Sequence, residues 1–154
     1  MFDVLIVEDD LSIADLLQEV LEADGYRVSG IARTVQEAIA AAEEHEPHFA
    51  VIDIHLAHGG LGTDVGVQLR KKTSAGILFS TGNDNPNLTT IEGDAVITKP
   101  YQLRDVGRGL RIIGDLALSG QTELPHPRNF RLLSPPKAQE ASSCHDQGAA
   151  RLGA

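Results

Sequence analysis

The sequence predicts an α/β fold, a doubly wound parallel sheet of five strands in the order 2-1-3-4-5 with helices on both faces. Three observations predict it. Five short runs are almost wholly apolar, and stretches of helical period alternate with them. Acidic, hydroxyl and lysine side chains gather at the carboxyl ends of the runs, not within them. Strands buried on both faces and separated by helices belong to parallel sheets, in which ligands bind beyond the carboxyl ends of the strands.

The elements follow in order. Phe2 to Val7 is the first strand, and it ends abruptly in Glu8-Asp9-Asp10. Ile13, Leu16, Leu17, Val20 and Leu21 then recur at helical spacing, giving a helix with one apolar stripe, which Gly25 stops. Asp10 is placed to cap it. Tyr26 to Ile31 is the second strand. Thr34-x-x-Glu37 has the form of a capping box, and Val35, Ala38, Ile39 and Ala42 make the inner face of the next helix, closed by Pro47. Phe49 to Ile54 is the third strand, with Asp53 set inside its end. A loop holding Gly59, Gly60 and Gly62 leads into a helix from Thr63 to Lys72. Gly76 to Ser80 and Ala95 to Thr98 are the fourth and fifth strands. The last helix spans Gln102 to Leu118, with Leu103, Val106, Leu110, Ile113 and Ala117 on one side. Its interior glycines, Gly107, Gly109 and Gly114, each weaken it by about 1 kcal/mol relative to alanine.

This pattern is the flavodoxin-like arrangement, and it assigns residues 1–119 to one domain. Residues 120–154 are expected to be a disordered tail, because they hold four of the seven prolines and few bulky apolar groups. Phe130, Leu132 and Leu133 are their one apolar island. Removing 121–154 is expected to leave stability almost unchanged. The whole chain has 154 residues and a net charge of −9, against +1 for the tail taken alone. Such a balance argues against nucleic acid or an anionic membrane as partner. One cysteine, Cys144, excludes an internal disulfide and any cysteine-based zinc cluster, pointing to a reducing, cytoplasmic setting. No apolar run approaches the ~20 residues that span a bilayer.

In a 2-1-3-4-5 sheet the first and third strands are neighbours, so Glu8, Asp9 and Asp53 converge in one crevice. Like charges that close repel, and a hard divalent cation such as Mg²⁺ relieves them. Thr81 ends the fourth strand with a hydroxyl, and Lys99 follows the fifth with an ammonium. Carboxylate nucleophile, metal, hydroxyl and ammonium together make a phosphoryl-transfer site, in which Asp53 forms an aspartyl phosphate and the others stabilise the equatorial oxygens.

Val7-Glu8-Asp9-Asp10, Asp53 after its apolar run, Thr81-Gly82 and Lys99-Pro100-Tyr101 together resemble the receiver domain of two-component response regulators, over nearly all of residues 1–119. The resemblance implies that Asp53 accepts phosphate from a histidine kinase or histidine phosphotransfer protein. Asp9, Asp53 and the His55 backbone carbonyl would ligate Mg²⁺, with Glu8 assisting through water, and Thr81 and Lys99 would touch the phosphoryl group. It further implies a protein that is not an enzyme on other molecules and catalyses only its own phosphorylation and dephosphorylation. Phe79-Ser80-Thr81-Gly82 is similar to the Phe-Ala-Thr-Gly motif of an alphaproteobacterial single-domain subgroup.

Two features depart from the family. Only Gly82 to Asp94 joins the fourth and fifth strands, and its asparagines, Pro86 and Gly93 are poor helix formers, so the fourth helix is truncated or missing, with Leu88 to Ile91 at most one turn. Val96 stands where many receivers carry the aromatic residue that rotates with the threonine. His55 and Asn83 occupy the positions that tune phosphoryl lifetime in the family. His55 with His58, and Glu46 and His48 beside His45, read as solvated histidines and not as metal ligands. Output is expected through a downstream protein target and not through DNA. The alternative is a phosphorylation-independent interaction module on the same fold, though it has no need of all five site residues. An aspartate-based phosphatase usually has a second aspartate two positions after the nucleophile, and His55 stands there instead.

Overall fold

Burial on both faces makes the strands. Every residue of β1 (Asp3–Val7) and β3 (Phe49–Asp53) is buried, and these two are neighbouring interior strands of the sheet. The computed structural model describes residues 1–82 and 91–133. Beside these two strands stand β2 (Arg27–Ala32), β4 (Gly76–Thr81) and β5 (Ala95–Thr98), with helices α1 (Leu11–Ala23), α2 (Val35–His45), α3 (Gly62–Lys72) and α4 (Leu103–Ser119). The order β2-β1-β3-β4-β5 is the expected one, and these pairings are all parallel. The register sets Val7 beside Ile52, Asp53 beside Ser80, and Thr81 beside Thr98, so the carboxyl ends form one rim.

Alternating side chains divide the core in two. On one face Ile6, Leu17, Leu21, Leu110 and Ile113 pack under α1 and α4. On the other Leu5, Ile52, Leu69 and Phe79 pack under α2 and α3. The α1 stripe is narrower than expected. Ala14, Leu17 and Leu21 are buried, whereas Leu16 is 51% exposed, because at 3.6 residues per turn it points away from them. The capping box of α2 is shifted by one residue. Thr34 accepts the Glu37 N–H as expected, but the Glu37 carboxylate reaches back to the Arg33 N–H at 2.8 Å. Ala117 of α4 is exposed, and Ile112 takes a place in the core that the periodicity left out.

The largest correction concerns the segment after α4. Residues up to 133 are not a disordered tail. The chain turns at Gly120, runs back along the sheet, and adds β6 (Phe130–Leu132) antiparallel to β5, making the sheet six-stranded. Phe130 is 9% exposed and packs over Gly109, where a β-carbon would sit 3.0 Å from its ring. That glycine thus admits the aromatic side chain, at the cost in helix propensity noted above. One buried aromatic, an open strand edge and a groove to receive the ring suffice to order the segment. The rest of the expected tail, 134–154 with Cys144, and the possible turn at 88–90 lie outside the described residues.

Candidate functional site

The site is built at the rim. Asp53 ends β3 and is 8% exposed; Glu8 and Asp9 follow β1, with Glu8 4% exposed. Asp10, one residue on, points the other way and caps α1, accepting the Ser12 N–H at 2.9 Å and the Ile13 N–H at 3.3 Å. Capping therefore fixes the turn that leaves Glu8 and Asp9 facing Asp53. One carboxylate oxygen from each of Glu8, Asp9 and Asp53 lies within 4.8 Å of the others. Among the described residues no second group of three ligating side chains gathers in this way.

Each member is held separately. Glu8 accepts the Asp10 N–H at 3.1 Å. Burial pushes its carboxyl up to about 8, against the pull of that bond, and the charge of Asp53 pushes the same way. Asp53 accepts the His55 N–H at 3.0 Å on one oxygen and faces the Lys99 ammonium at 3.3 Å with the other. For Lys99, burial opposes the charged form, but the fields of Asp53 and Glu8 outweigh it and hold the ammonium above its ordinary range. The Lys99 N–H in turn donates to the Thr81 carbonyl at 2.8 Å, fastening the end of β5 to β4, and the next peptide, Lys99–Pro100, is cis. Thr81 is buried at 1% exposure at the tip of β4.

The loop after β3 is shaped by Gly62, the first residue of α3. A β-carbon there would run into the Asp53 carbonyl oxygen, so α3 starts hard against the end of β3 only because the residue is glycine. His55 and Leu61 form a bridge made by Leu56 N–H to Gly60 O at 2.9 Å and Gly62 N–H to Ile54 O at 2.7 Å. Neither bond uses the His55 carbonyl. Two partners at the rim were missed from sequence. Ser80 and Tyr101 hydroxyls meet at 3.0 Å, and Asn129 donates to the Pro100 carbonyl at 3.0 Å. Only the hydroxyl beside Thr81 was a signal for the first; the second depends on a segment distant in sequence. His48 is not merely solvated, since its Nδ1 accepts the Asp3 N–H at 3.0 Å. His45 and His58 are exposed, and Asn83 lies outside the described residues.

Three carboxylates around one point, all hard oxygen donors, with a lysine opposite, are able to hold a small divalent cation. The model of the response regulator receiver domain matches residues 4–109. This chain belongs to that family. As a receiver it is a domain of two-component systems, and its relatives agree. It is 36% identical over 107 residues to the phyllosphere-induced regulator PhyR of Methylorubrum extorquens, covering 68% of this chain and 40% of that one. It is 31% identical over 107 residues to the transcriptional regulatory protein PdtaR of Mycobacterium tuberculosis, covering 67% and 52%. Among solved structures, the receiver domain of Erythrobacter litoralis PhyR superposes with a TM-score of 0.66 at 27% identity, over 80% of this chain and 95% of that one. The receiver thus spans about half the length of the curated relatives it matches. No helix among the described residues is long and apolar enough to cross a membrane.

Proposed function

We propose that this receiver is a phosphoacceptor switch, phosphorylated on Asp53 by a histidine kinase or histidine phosphotransfer protein in the cytoplasm. The observation that carries this reading is Asp53 itself, buried at the rim with Lys99 at 3.3 Å and two further carboxylates close by. An Asp53 carboxylate oxygen attacks phosphorus in line, a P–O bond forms, and the P–N bond to the donor imidazole breaks. Asp9, Asp53 and the His55 carbonyl would ligate Mg²⁺, with Glu8 assisting through water, and the ion would neutralise charge on the phosphoryl oxygens. Lys99 gives up part of its contact with Asp53 to meet a phosphoryl oxygen, and the Thr81 hydroxyl donates to another. Attack of water on phosphorus later releases phosphate and restores the carboxylate. The chain performs no reaction on any other molecule.

Output through a downstream protein fits the acidic surface, which would repel nucleic acid. It also agrees with the description of Bartonella quintana PhyR as an anti-anti-sigma factor; this chain covers 45% of that protein's structure at 26% identity. The test is intact mass after incubation with a small phosphodonor and Mg²⁺. Wild type is expected to gain one phosphoryl group, lost on chelation of the metal before mixing, and Asp53→Asn to gain none. An adduct on Asp53→Asn overturns the assignment. A wild-type protein that neither binds Mg²⁺ nor accepts phosphate from any donor favours an interaction module instead.

A further inference from the structure

Two bonds fasten the loop after β5 to the tip of β4, one on each side of the Lys99 side chain. The Lys99 N–H donates to the Thr81 carbonyl at 2.8 Å. Two residues on, the Tyr101 hydroxyl meets the Ser80 hydroxyl at 3.0 Å. The Asn129 amide also holds the loop, through the Pro100 carbonyl, but from the β6 side.

Ser80 is placed against the phosphoacceptor itself. The register sets it beside Asp53, and its carbonyl accepts the Ile54 N–H at 3.0 Å. Val51 and Leu78, two residues before Asp53 and Ser80, both belong to the core under α1 and α4. By strand alternation the Asp53 and Ser80 side chains therefore leave the sheet on one face, and Tyr101 packs against the same core. Ser80 is 2% exposed, and a hydroxyl so buried costs free energy unless it is bonded. Among the described residues Tyr101 is the side chain that bonds it. Burial is the largest influence on the Tyr101 phenol and keeps it protonated, and the charges of Lys99, Glu8 and Asp53 all reach it. A neutral hydroxyl can tie the loop down there without adding charge to the site.

We infer that Tyr101 is a positioning residue for the reaction at Asp53, its hydroxyl bond to Ser80 holding the Lys99 ammonium in place. The inference rests on Asp53 being the phosphoacceptor. Lysine carries its charge on a flexible four-carbon stem, so its aim depends on a fixed starting point in the backbone. The Thr81 carbonyl fixes one side of that point, and the hydroxyl pair fixes the other against the residue next to Asp53. A charge displaced by an ångström stabilises a transition state less well, even when the fold is intact.

The test compares the full chain with Tyr101→Phe and Ser80→Ala, each of which deletes one hydroxyl, after thermal melts show them folded. Phosphoryl gain is followed by intact mass with acetyl phosphate and Mg²⁺. Both single variants and the double variant are expected to be slowed by the same factor, about three-fold or more, because one bond is lost in each. In a Lys99→Ala background, Tyr101→Phe is expected to cause no further slowing, since it acts through Lys99. Order in the Lys99 side chain, read without any donor from NMR relaxation of its ε-methylene, is expected to fall in both single variants. Wild-type rates in the variants overturn the inference. So does equal slowing by Tyr101→Phe with and without Lys99, which marks a merely structural role. A wild-type protein that takes no phosphoryl group refutes the reading of Asp53 instead. The NMR comparison then decides for Tyr101, and unchanged order at Lys99 overturns its role. Should Tyr101→Phe not fold, Ser80→Ala decides by the same criteria.

Discussion

Asp3 shows how one side chain at a strand start is fixed by its neighbours. The Arg27 guanidinium grips it through two bonds of 2.6 and 2.7 Å, and this fork holds the Asp3 carboxyl below its ordinary 3.8. A carboxyl held lower in the folded than in the unfolded chain stabilises the fold at pH values above its unfolded pKa. That contribution disappears as pH falls through the folded value. The melting temperature of wild type is therefore expected to exceed that of Asp3→Asn at pH 7, and the gap to close as pH falls below 3.8 and through the lowered folded value. A gap of constant size across this range would show that the ion pair does not contribute. Lys99 shows the same physics, and under the proposed function the charges that raise its pKa are those it would leave for a phosphoryl group. Lys99→Ala is expected to keep the fold and to slow acquisition of the phosphoryl mass by ten-fold or more, the scale of losing one preorganised charge in a phosphoryl-transfer site.

Elements are placed by what their ends permit. α1 begins where Asp10 caps it, and this sends Glu8 and Asp9 into the crevice. α3 begins against Asp53 because Gly62 has no β-carbon. Gly62→Ala has to push the first turn of α3 off the end of β3, with an expected loss of about 1–3 kcal/mol in urea unfolding. Because the displaced backbone carries Asp53, the variant is also expected to bind Mg²⁺ more weakly than wild type. Unchanged stability and unchanged metal binding together would show that the loop absorbs the methyl group. Val96, buried at 1% exposure in β5, leaves the aromatic position of other receivers filled by an aliphatic core residue. The Ser80–Tyr101 hydroxyl pair is instead the aromatic contact at this rim.

At the scale of the whole molecule, the segment after α4 is part of the fold. Ending the chain after Gly120 removes Phe130 from its groove and uncovers the β5 edge. The expected loss is about 3 kcal/mol, the usual result of deleting a buried phenylalanine side chain, seen as a lower urea midpoint. A midpoint equal to that of the full chain would restore the sequence expectation that the segment contributes nothing.

The five parallel strands, their order and the residues of the acidic rim were legible in the sequence, because two-sided burial writes continuous apolar runs and the chemistry stands at their ends. So were the Asp10 and Thr34 caps, which act within three residues of chain. The outward turn of Leu16 was not legible, because a stripe of apolar residues does not say where on the helix the partner begins. β6 was hidden for a stronger reason. Its three residues are positioned by the groove over Gly109 and the edge of β5, both of which exist only once the sheet is assembled. Local sequence determined the strands and the chemistry at their tips; tertiary structure decided which edge was left open and which distant segment closed it.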